Sequence, residues 1–405
     1  MSNKKYIIFT SGISDMGGAE MFTSNKIEFL KQTGWDVDVY FYRRINHIMI
    51  QNLEHFRHNR IPKLYYPPIA FTNKEVKEVV KQIAYKSDTY TEVVIETQLL
   101  TLSYWGELLA EYIGAKHIVN IMEEHISTRD INDLKFLERK LKRNEILNMV
   151  NRNVLKRYFG SYVKLDYEKY IHDYFVSPVC SNVTINKDID LSYIRKADYT
   201  IISLGRLDKP YIIPMFIALK EYFIKHPYIS YNLLVIGGSP QGDAEESINK
   251  LFLDCSNATV YHHGYLYPIP SNLIKRADIG IAMANSVDVL TNEGIPTINI
   301  DINDLNPIGY YKITTNNKFN RNESDGNNNL DHFLDIGLNS SFVFDVQLMH
   351  TEQDSTAIFT RQIDFLKLNQ TKEYCFHLED YPLILKLKAR LSRVLHTKIL
   401  RDINY

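Results

Sequence analysis

Short apolar runs alternate with amphipathic stretches along most of this chain, and that alternation restricts the possible folds more than any other feature. Runs of about six residues suit buried strands, and the amphipathic stretches between them suit helices. In the first half the predicted order is strand 5–10, a helix ending at Gly34, strand 36–41, helix 74–85, strand 92–95, helix 99–113 and strand 117–121. Strands joined by helical crossovers run parallel, so we predict an α/β protein with helices on both faces of a parallel sheet.

The second half repeats this plan. Its predicted strands are 199–204, 231–236, 258–262 and 278–283, followed by a short helix and the stretch 294–300. A chain of 405 residues is longer than one hydrophobic core usually serves. We therefore predict two domains, joined by the polar stretch 181–188.

Composition argues against several kinds of partner and site. The formal net charge of -1 gives the whole chain no electrostatic reason to bind nucleic acid. Cys180, Cys255 and Cys375 are widely separated in the sequence, which argues against a disulfide framework and against a cysteine metal site. His262 and His263 fall on opposite faces of a predicted strand, which argues against their sharing a metal. The sequence contains no signal-peptide core and no run of about 20 apolar residues. We therefore expect a cytoplasmic protein, soluble or attached to the inner face of the plasma membrane.

Three loops of the first half follow predicted strands at their carboxyl ends, where open α/β sheets bind ligands. Loop 12–18 carries Gly17 and Gly18 before a helix, so it is either an anion or sugar site or a tight turn. The other two loops are 96–98, Glu-Thr-Gln, and 123–125, Glu-Glu-His. We expect all three to face one crevice. The last is a candidate general base or sugar-hydroxyl ligand, with a hydrogen-bonded loop cluster as the alternative.

Loops of the second half carry positive charge and glycines. Arg206 and Lys209 follow the first strand and would suit a diphosphate. Gly237 follows the second strand and allows close approach to the main chain. Asn285 and Ser286 are candidate N-caps of a short helix whose N-terminus would face the same crevice.

Several short motifs occur in the order of a known family. They are Gly17-Gly18-Ala19-Glu20, Ile202-Ser203-Leu204-Gly205-Arg206-Leu207-Asp208, Leu234-Val235-Ile236-Gly237, Gly264-Tyr265-Leu266, Arg276-Ala277-Asp278-Ile279 and Glu293-Gly294-Ile295-Pro296-Thr297-Ile298. The chain resembles a GT-B glycosyltransferase of the retaining family 4, glycosyl transferases group 1. The resemblance implies two Rossmann-like domains facing each other across a cleft. The acceptor domain would be 1–180 and the nucleotide-sugar domain 181–380, with a basic helix at 381–405 packing back on the first.

The resemblance also implies roles for residues of this chain. Arg206 would contact the donor diphosphate, while Gly264 and Tyr265 would lie near the base. The donor-binding residues expected are Gly17, Gly18, Arg206, Lys209, Gly237, Gly264, Tyr265, Asn285, Ser286, Val287, Asp288 and Asn292. The catalytic candidates are His125, Glu124 and Glu293. No metal or other cofactor is expected, because the nucleotide-diphosphate sugar is itself the donor substrate.

Two regions depart from the family pattern. The family usually has a lysine five residues after its arginine, and Tyr211 stands at that position. It also carries two glutamates in an E-x7-E arrangement before its Gly-x-Pro. The stretch between Met283 and Gly294 is several residues too short, so neither glutamate can be placed.

We expect sugar transfer from a nucleotide-diphosphate donor to a glycan or lipid-linked acceptor, in synthesis of a bacterial surface polysaccharide such as a capsule. A non-catalytic homologue acting as an accessory or glycan-binding subunit is one alternative, motivated by the two departures. A nucleotide-sugar epimerase is another. The basic stretches 130–174 and 383–400 leave a peripheral membrane contact open, against the alternatives of a solvated face and of packing on the first domain. The Asn-rich stretch 306–329 is either a mobile loop or a lid.

Overall fold

The computed structural model describes two compact units. The first comprises Met1–Pro178 with Asp354–Tyr405, and the second comprises Val179–Gln353. The described residues are 3–14, 17–45, 47–85, 87–121, 131–148, 159, 169, 184–239, 242–302, 304–319, 321, 329–338, 355–368 and 373–402. The sequence boundary after residue 180 lies close to the first division. The return to unit 1 begins at Asp354, earlier than the predicted 381, so the C-terminal part of this unit is more than one helix.

Unit 1 contains a five-stranded sheet in the order β2-β1-β3-β4-β5, with every neighbouring pair parallel. The strands are β1 (Lys4–Thr10), β2 (Trp35–Phe41), β3 (Glu92–Thr97), β4 (Lys116–Ile121) and β5 (Ile146–Asn148). The predicted parallel sheet of the first half is therefore confirmed.

Helices cover both faces of this sheet, as predicted. They are α1 (Gly18–Gln32), α2 (Asn73–Ile83), α3 (Leu100–Ile113) and α4 (Ile131–Lys142), with 3-10 turns at Gln51–Phe56, Pro62–Tyr65, Pro68–Ala70 and Ser87–Thr89. Ile7 and Phe9 of β1 face the core formed with α2 and α3. Tyr6, which points to the opposite face, lies under Lys26 of α1.

Local sequence signals account for several helix ends in this unit. Thr72 and Glu75 form a reciprocal capping box at the start of α2. Gly34 and Gly114 follow α1 and α3 with φ of 83° and 68°, a backbone region that glycine adopts without steric cost.

Unit 2 contains a six-stranded sheet in the order β13-β12-β11-β7-β8-β9, parallel except for β13. The strands are β7 (Tyr199–Leu204), β8 (Tyr231–Ile236), β9 (Ala258–Gly264), β11 (Ile279–Met283), β12 (Thr297–Ile300) and β13 (Pro307–Tyr310), and a separate pair joins β6 (Thr184–Ile185) to β10 (Ile269–Pro270). The antiparallel edge strand β13 was absent from the sequence prediction.

Helices of unit 2 also lie on both faces of its sheet. They are α5 (Ile212–Lys225), α6 (Asp243–Phe252), α7 (Ser271–Ile274), α8 (Ser286–Asn292) and α9 (Leu330–Leu338). Ile201 shares a core with Phe216 of α5 and Leu334 of α9. On the other face Leu290 of α8 packs against Gly280, where any Cβ would overlap it.

The C-terminal segment completes unit 1. It contains α10 (Ser355–Phe365), a 3-10 turn at Leu366–Leu368, another at Leu378–Asp380, and α11 (Leu383–Asp402). Phe359 of α10 packs between Phe22 and Phe29 of α1, with ring centroids 5.5 and 5.4 Å apart. Within the described residues no helix is long and apolar enough to cross a membrane.

Loop 96–98 does not face a crevice, because its side chains are buried in unit 1. Glu96 and Lys26 are both fully buried and form an ion pair. Tyr6 donates to Glu96 at 2.7 Å, Asn120 does so at 2.7 Å, and Lys26 also donates to Gln362 of α10 at 3.0 Å. Burial tends to raise the pKa of Glu96, but the Lys26 ammonium and these hydrogen bonds outweigh it and hold the pKa below its usual range.

A second buried network lies beside the first. His117 Nδ1 is 2.7 Å from Glu107 Oε2, and its Nε2 is 2.9 Å from Thr97 Oγ1. Lys140 of α4 pairs with Glu107 and, at 2.7 Å, with Glu145. Lys140 therefore belongs to the core, although it comes from the basic stretch 130–174, most of which lies outside the described residues.

Candidate functional site

Three glycines lie side by side where β7, β8 and β9 end. The Gly205 amide donates to Ile236 O at 3.0 Å, and the Gly237 amide donates to Gly264 O at 2.8 Å. Gly237 has φ of 137°, and a Cβ there would overlap the carbonyl oxygen of Gly205. The three strand ends are therefore joined by closely packed main chain, in which Gly237 is buried and Gly205 and Gly264 are half-buried.

Tyr265 closes one side of this glycine edge. Its ring lies against Gly238, where an added Cβ would be 2.7 Å from the Tyr265 Cε2 atom. The Leu207 amide donates to Gly238 O at 3.1 Å, which joins the loops after β7 and β8. The half-buried Tyr265 ring offers a stacking surface for a planar group.

Arg206 supplies positive charge directly after Gly205. Its side chain is 43% exposed and pairs with Asp208, through a 2.9 Å bond from Nε to Oδ1 and a second bond from Nη2. The Arg206 guanidinium holds the pKa of Asp208 below its usual range. Lys209 is exposed in the same loop. An incoming anion would therefore compete with Asp208 for Arg206.

Tyr211 is buried, although the resemblance leads one to expect a lysine at that position. It is 1% exposed, and its hydroxyl would lie 3.1 Å from a Cβ built on Gly205. Burial raises the pKa of Tyr211 far above its usual range, so the phenol stays neutral. It therefore supports the loop from below and contributes no positive charge.

The turn between β11 and α8 has a strained backbone. Ala284 has φ of 54°, a region that residues with a Cβ rarely adopt. Asn285 is the N-cap of α8, as predicted, but it has helical φ and ψ and its side chain makes no capping hydrogen bond. The Val287 amide donates to Ala284 O at 3.2 Å, and the Asp288 amide to Asn285 O at 3.2 Å. The amides of Val287 and Asp288, which were expected to contact a diphosphate, thus form hydrogen bonds within the turn. The Val287 side chain is fully buried.

Lys318 pairs with Asp288 in the first turn of α8, and this pair was missed by sequence reasoning. The two side chains are 11% and 7% exposed. Asn299 of β12 positions the lysine by donating to Asn317 O at 2.8 Å and Lys318 O at 3.0 Å. Lys312 lies nearby. Burial and the Lys318 ammonium lower the pKa of Lys312, and together they outweigh the Asp288 carboxylate, which raises it. The start of α8 therefore has two lysines beside one carboxylate.

Glu293 and Asn292 lie at the other end of α8. The Glu293 carboxylate accepts from Ser271 Oγ at 3.1 Å and is 3.5 Å from Lys275 Nζ. Gly294, with φ of 82°, then turns the chain into the amino end of β12. Because α8 runs back along the sheet for seven residues, about 10 Å, the structure does not bring Glu293 or Asn292 together with Arg206.

The glycine loop of unit 1 leads into α1, with Gly17 as N-cap and Gly18 as the first helical residue. Glu20 lies in the first turn, and its carboxylate would be 2.8 Å from a Cβ built on Gly17. A carboxylate at this position interacts favourably with the helix N-terminus and would compete with a bound phosphate. Glu124 and His125 lie outside the described residues.

The two histidines of β9 separate as expected. His262 Nε2 bonds to Asn249 Oδ1 of α6 at 2.9 Å, whereas His263 Nδ1 is 3.3 Å from the Tyr193 hydroxyl. Across the described part of the chain, no group of three or more His, Cys, Asp or Glu side chains could hold a metal ion. At the carboxyl edge of unit 2 the structure brings together Arg206, Lys209, Gly237, Gly264, Tyr265, Asn285, Ser286 and Asp288.

Comparison with solved structures shows which fold this is. A glycosyltransferase from Rickettsia africae superimposes with a TM-score of 0.61 at 14% identity, covering 91% of this chain and 99% of that chain. An E. coli protein described as trehalose-6-phosphate bound with UDP-2-fluoro glucose gives 0.54 at 12% identity, covering 91% and 99%. Anabaena HepE in complex with UDP and glucose gives 0.50 at 12% identity, covering 90% and 97%. No protein-family model matches the chain, and no curated protein matches it in sequence.

These structural relatives are GT-B glycosyltransferases, and the fold of this chain is GT-B. The fold class expected from the ordered motifs is therefore confirmed. Identities of 14% and below establish the architecture of the chain alone, because one fold can serve many functions.

Proposed function

We propose that this protein is a retaining glycosyltransferase of the family 4 kind. It transfers a sugar from a nucleotide-diphosphate donor to a glycan or lipid-linked acceptor, in the cytoplasm, during synthesis of a bacterial surface polysaccharide. The observation that carries the proposal is the carboxyl edge of unit 2, where glycine main chain adjoins Arg206 and Tyr265. Main chain, guanidinium and aromatic ring suit the sugar, diphosphate and base of one donor.

The chemistry requires positive charge, because departure of a nucleoside diphosphate builds negative charge on the leaving group. Arg206 would exchange Asp208 for the donor phosphate, and Lys209 adds charge in the same loop. Lys318 and Lys312 add further positive charge at the start of α8, which follows β11, the strand next to β7. In a retaining transfer the donor phosphate accepts the proton of the acceptor hydroxyl, so the proposed reaction needs neither a metal nor an enzyme nucleophile.

Uridine nucleotides are the first donors to examine. Anabaena HepE was solved with UDP and glucose, and the E. coli protein with UDP-2-fluoro glucose. Both share the fold of this chain, and that likeness makes a UDP-sugar a reasonable first donor. The base would stack on Tyr265 beside Gly238.

Titration calorimetry with a panel of nucleoside diphosphates and their sugars tests the proposal. Arg206→Ala removes a charge-assisted contact, so donor affinity should fall roughly tenfold to a hundredfold. Arg276→Ala is the matched control, since Arg276 is exposed in unit 2 but precedes β11 at its amino end. Absence of binding to every donor, or equal losses in both variants, would contradict the proposal.

A non-catalytic accessory subunit is the second candidate, and two observations favour it. Tyr211 is buried and neutral where the family has a lysine, and Glu293 pairs with Lys275 at the far end of α8. Donor hydrolysis and transfer to a glycan acceptor separate the two candidates. Tight donor binding without turnover would support the accessory role, and release of a rearranged free sugar would indicate an epimerase.

A further inference from the structure

Helix α11 packs on unit 1 through its basic side. Arg390 donates to Phe71 O at 2.9 Å, and Arg393 lies 4.3 Å from the centroid of the Phe71 ring and 3.4 Å from the Glu75 carboxylate. The His396 ring stacks on Tyr65, with centroids 5.6 Å apart. The contacts that hold the helix are thus cationic and aromatic.

The opposite side of α11 is apolar and exposed to solvent. Six apolar residues have between 47% and 67% of their surface exposed: Leu383, Ile384, Leu387, Leu391, Val394 and Leu395. Their spacing places them along one stripe of a helix, so they form a continuous surface. Helices of soluble proteins normally bury such a stripe, and here it is the polar stripe that faces the protein.

Charge indicates what covers this apolar stripe. The helix sequence contains six basic residues and one acidic residue. Lys388 is exposed beside the stripe. Basic side chains around an apolar stripe are complementary to a surface whose interior is apolar and whose rim is anionic.

A second copy of the chain fits this surface less well. Two α11 helices packed stripe to stripe would bring basic flanks against basic flanks, which is unfavourable. The exposed stripe from Leu383 to Leu395 also spans fewer heptads than the three or four typical of a helical pair.

We propose that the apolar stripe of α11 docks this protein on a membrane containing anionic lipids. The leucines enter the boundary between headgroups and acyl chains, while the flanking lysines contact lipid phosphates. The helix lies in the plane of the surface, because its basic side remains bound to Phe71 and Glu75. This inference rests on α11 alone and is independent of nucleotide-sugar binding.

Co-sedimentation of the full chain with vesicles tests the proposal. Binding is expected to vesicles of phosphatidylcholine with phosphatidylglycerol, and to weaken at high salt. Replacing Leu387 and Leu391 by Asp should weaken partitioning roughly twentyfold, from the loss of two half-exposed leucines. Lys388→Gln should weaken it about fivefold on anionic vesicles and leave neutral vesicles unaffected.

Leu253→Asp is the matched control, because Leu253 is a leucine of unit 2 with 83% of its surface exposed. Circular dichroism and thermal melting establish that each variant is folded. Donor affinity should be the same in all of them, which keeps this test separate from that of the proposed function. Vesicle binding that survives Leu387→Asp with Leu391→Asp, or a stripe variant that instead converts a dimer into a monomer, would overturn the proposal.

Discussion

Acidification from pH 7.5 to pH 5 should destabilise unit 1 through one buried histidine. His117 lies in β4, 3% exposed, between Glu107 and Thr97. The ionised Glu107 carboxylate can only accept a hydrogen bond, so Nδ1, the ring nitrogen that faces it, carries the proton, and Nε2 of the neutral ring accepts from the Thr97 hydroxyl. His117 is then neutral, with its proton on Nδ1 and directed at Glu107.

The magnitude follows from the pKa of this ring in the folded and unfolded states. Burial, with the nearby Lys140 ammonium, lowers the pKa of His117 from 6.5 to about 4. Between these values the unfolded chain binds a proton that the folded chain does not, so stability is lost as the pH falls. At pH 5 the loss is about 2 kcal/mol. Glu107, whose pKa is held below its usual range by Lys140 and His117, loses its contribution only at lower pH.

Urea unfolding followed by tryptophan fluorescence measures this loss in unit 1 alone. The chain has two tryptophans, Trp35 in β2 and Trp105 in α3, and both belong to unit 1. The free energy of unfolding should fall by about 2 kcal/mol between pH 7.5 and pH 5. His117→Gln should be less stable at pH 7.5 but much less sensitive to pH over this range.

His55→Gln is the control, because the His55 side chain is exposed in the same unit. This variant should retain the full pH dependence of the wild type. A wild type with constant stability between the two pH values would refute the reasoning. The same would follow if His117→Gln and the wild type lost equal free energy on acidification.

Three further predictions concern buried or crowded positions. Gly237→Ala should lower the melting temperature and abolish donor binding, since its Cβ would overlap a neighbouring carbonyl oxygen; an unchanged melt would contradict the close approach. Glu96→Gln should cost about 3–5 kcal/mol in urea unfolding by leaving buried Lys26 unpaired, whereas replacing both by apolar residues should cost less. Lys318→Met should destabilise unit 2 in calorimetry by removing the ion pair at Asp288, and equal stability would contradict a stabilising role of that pair.

Local patterns predicted most of the sheet and helix order. Strands such as β7 and β8 are continuous apolar runs because both of their faces are buried. A short apolar run of this length is typical of a buried strand, which is why these strands were predicted. Glycines at Gly34 and Gly294 marked helix ends because only local backbone geometry decides them. The N-cap at Asn285 was found in the same way, although its side chain makes no cap.

Features that depend on distant contacts were not predictable. The position of Glu96 at a strand end predicts a loop residue that faces a ligand. In the structure it is buried against Lys26, which also bonds to Gln362, and both residues are far from Glu96 in the sequence. Helix α10 belongs to unit 1 because Phe359 packs on α1. A contact between residues so distant in the sequence cannot be predicted from local patterns. Lys318 reaches α8 only because Asn299 holds its loop.

The charged side chains near the carboxyl ends of the strands are arranged differently in the two units. In unit 1 Glu96, near the carboxyl end of β3, is buried and already paired with Lys26. At the N-terminus of α1, Glu20 places a carboxylate where a phosphate would otherwise bind. At the equivalent edge of unit 2, Arg206 and Lys318 each pair with a single carboxylate at the surface or just below it. Exchanging one carboxylate for a phosphate is easier at that depth than in a buried network, so we expect the diphosphate contacts of the proposed donor in unit 2.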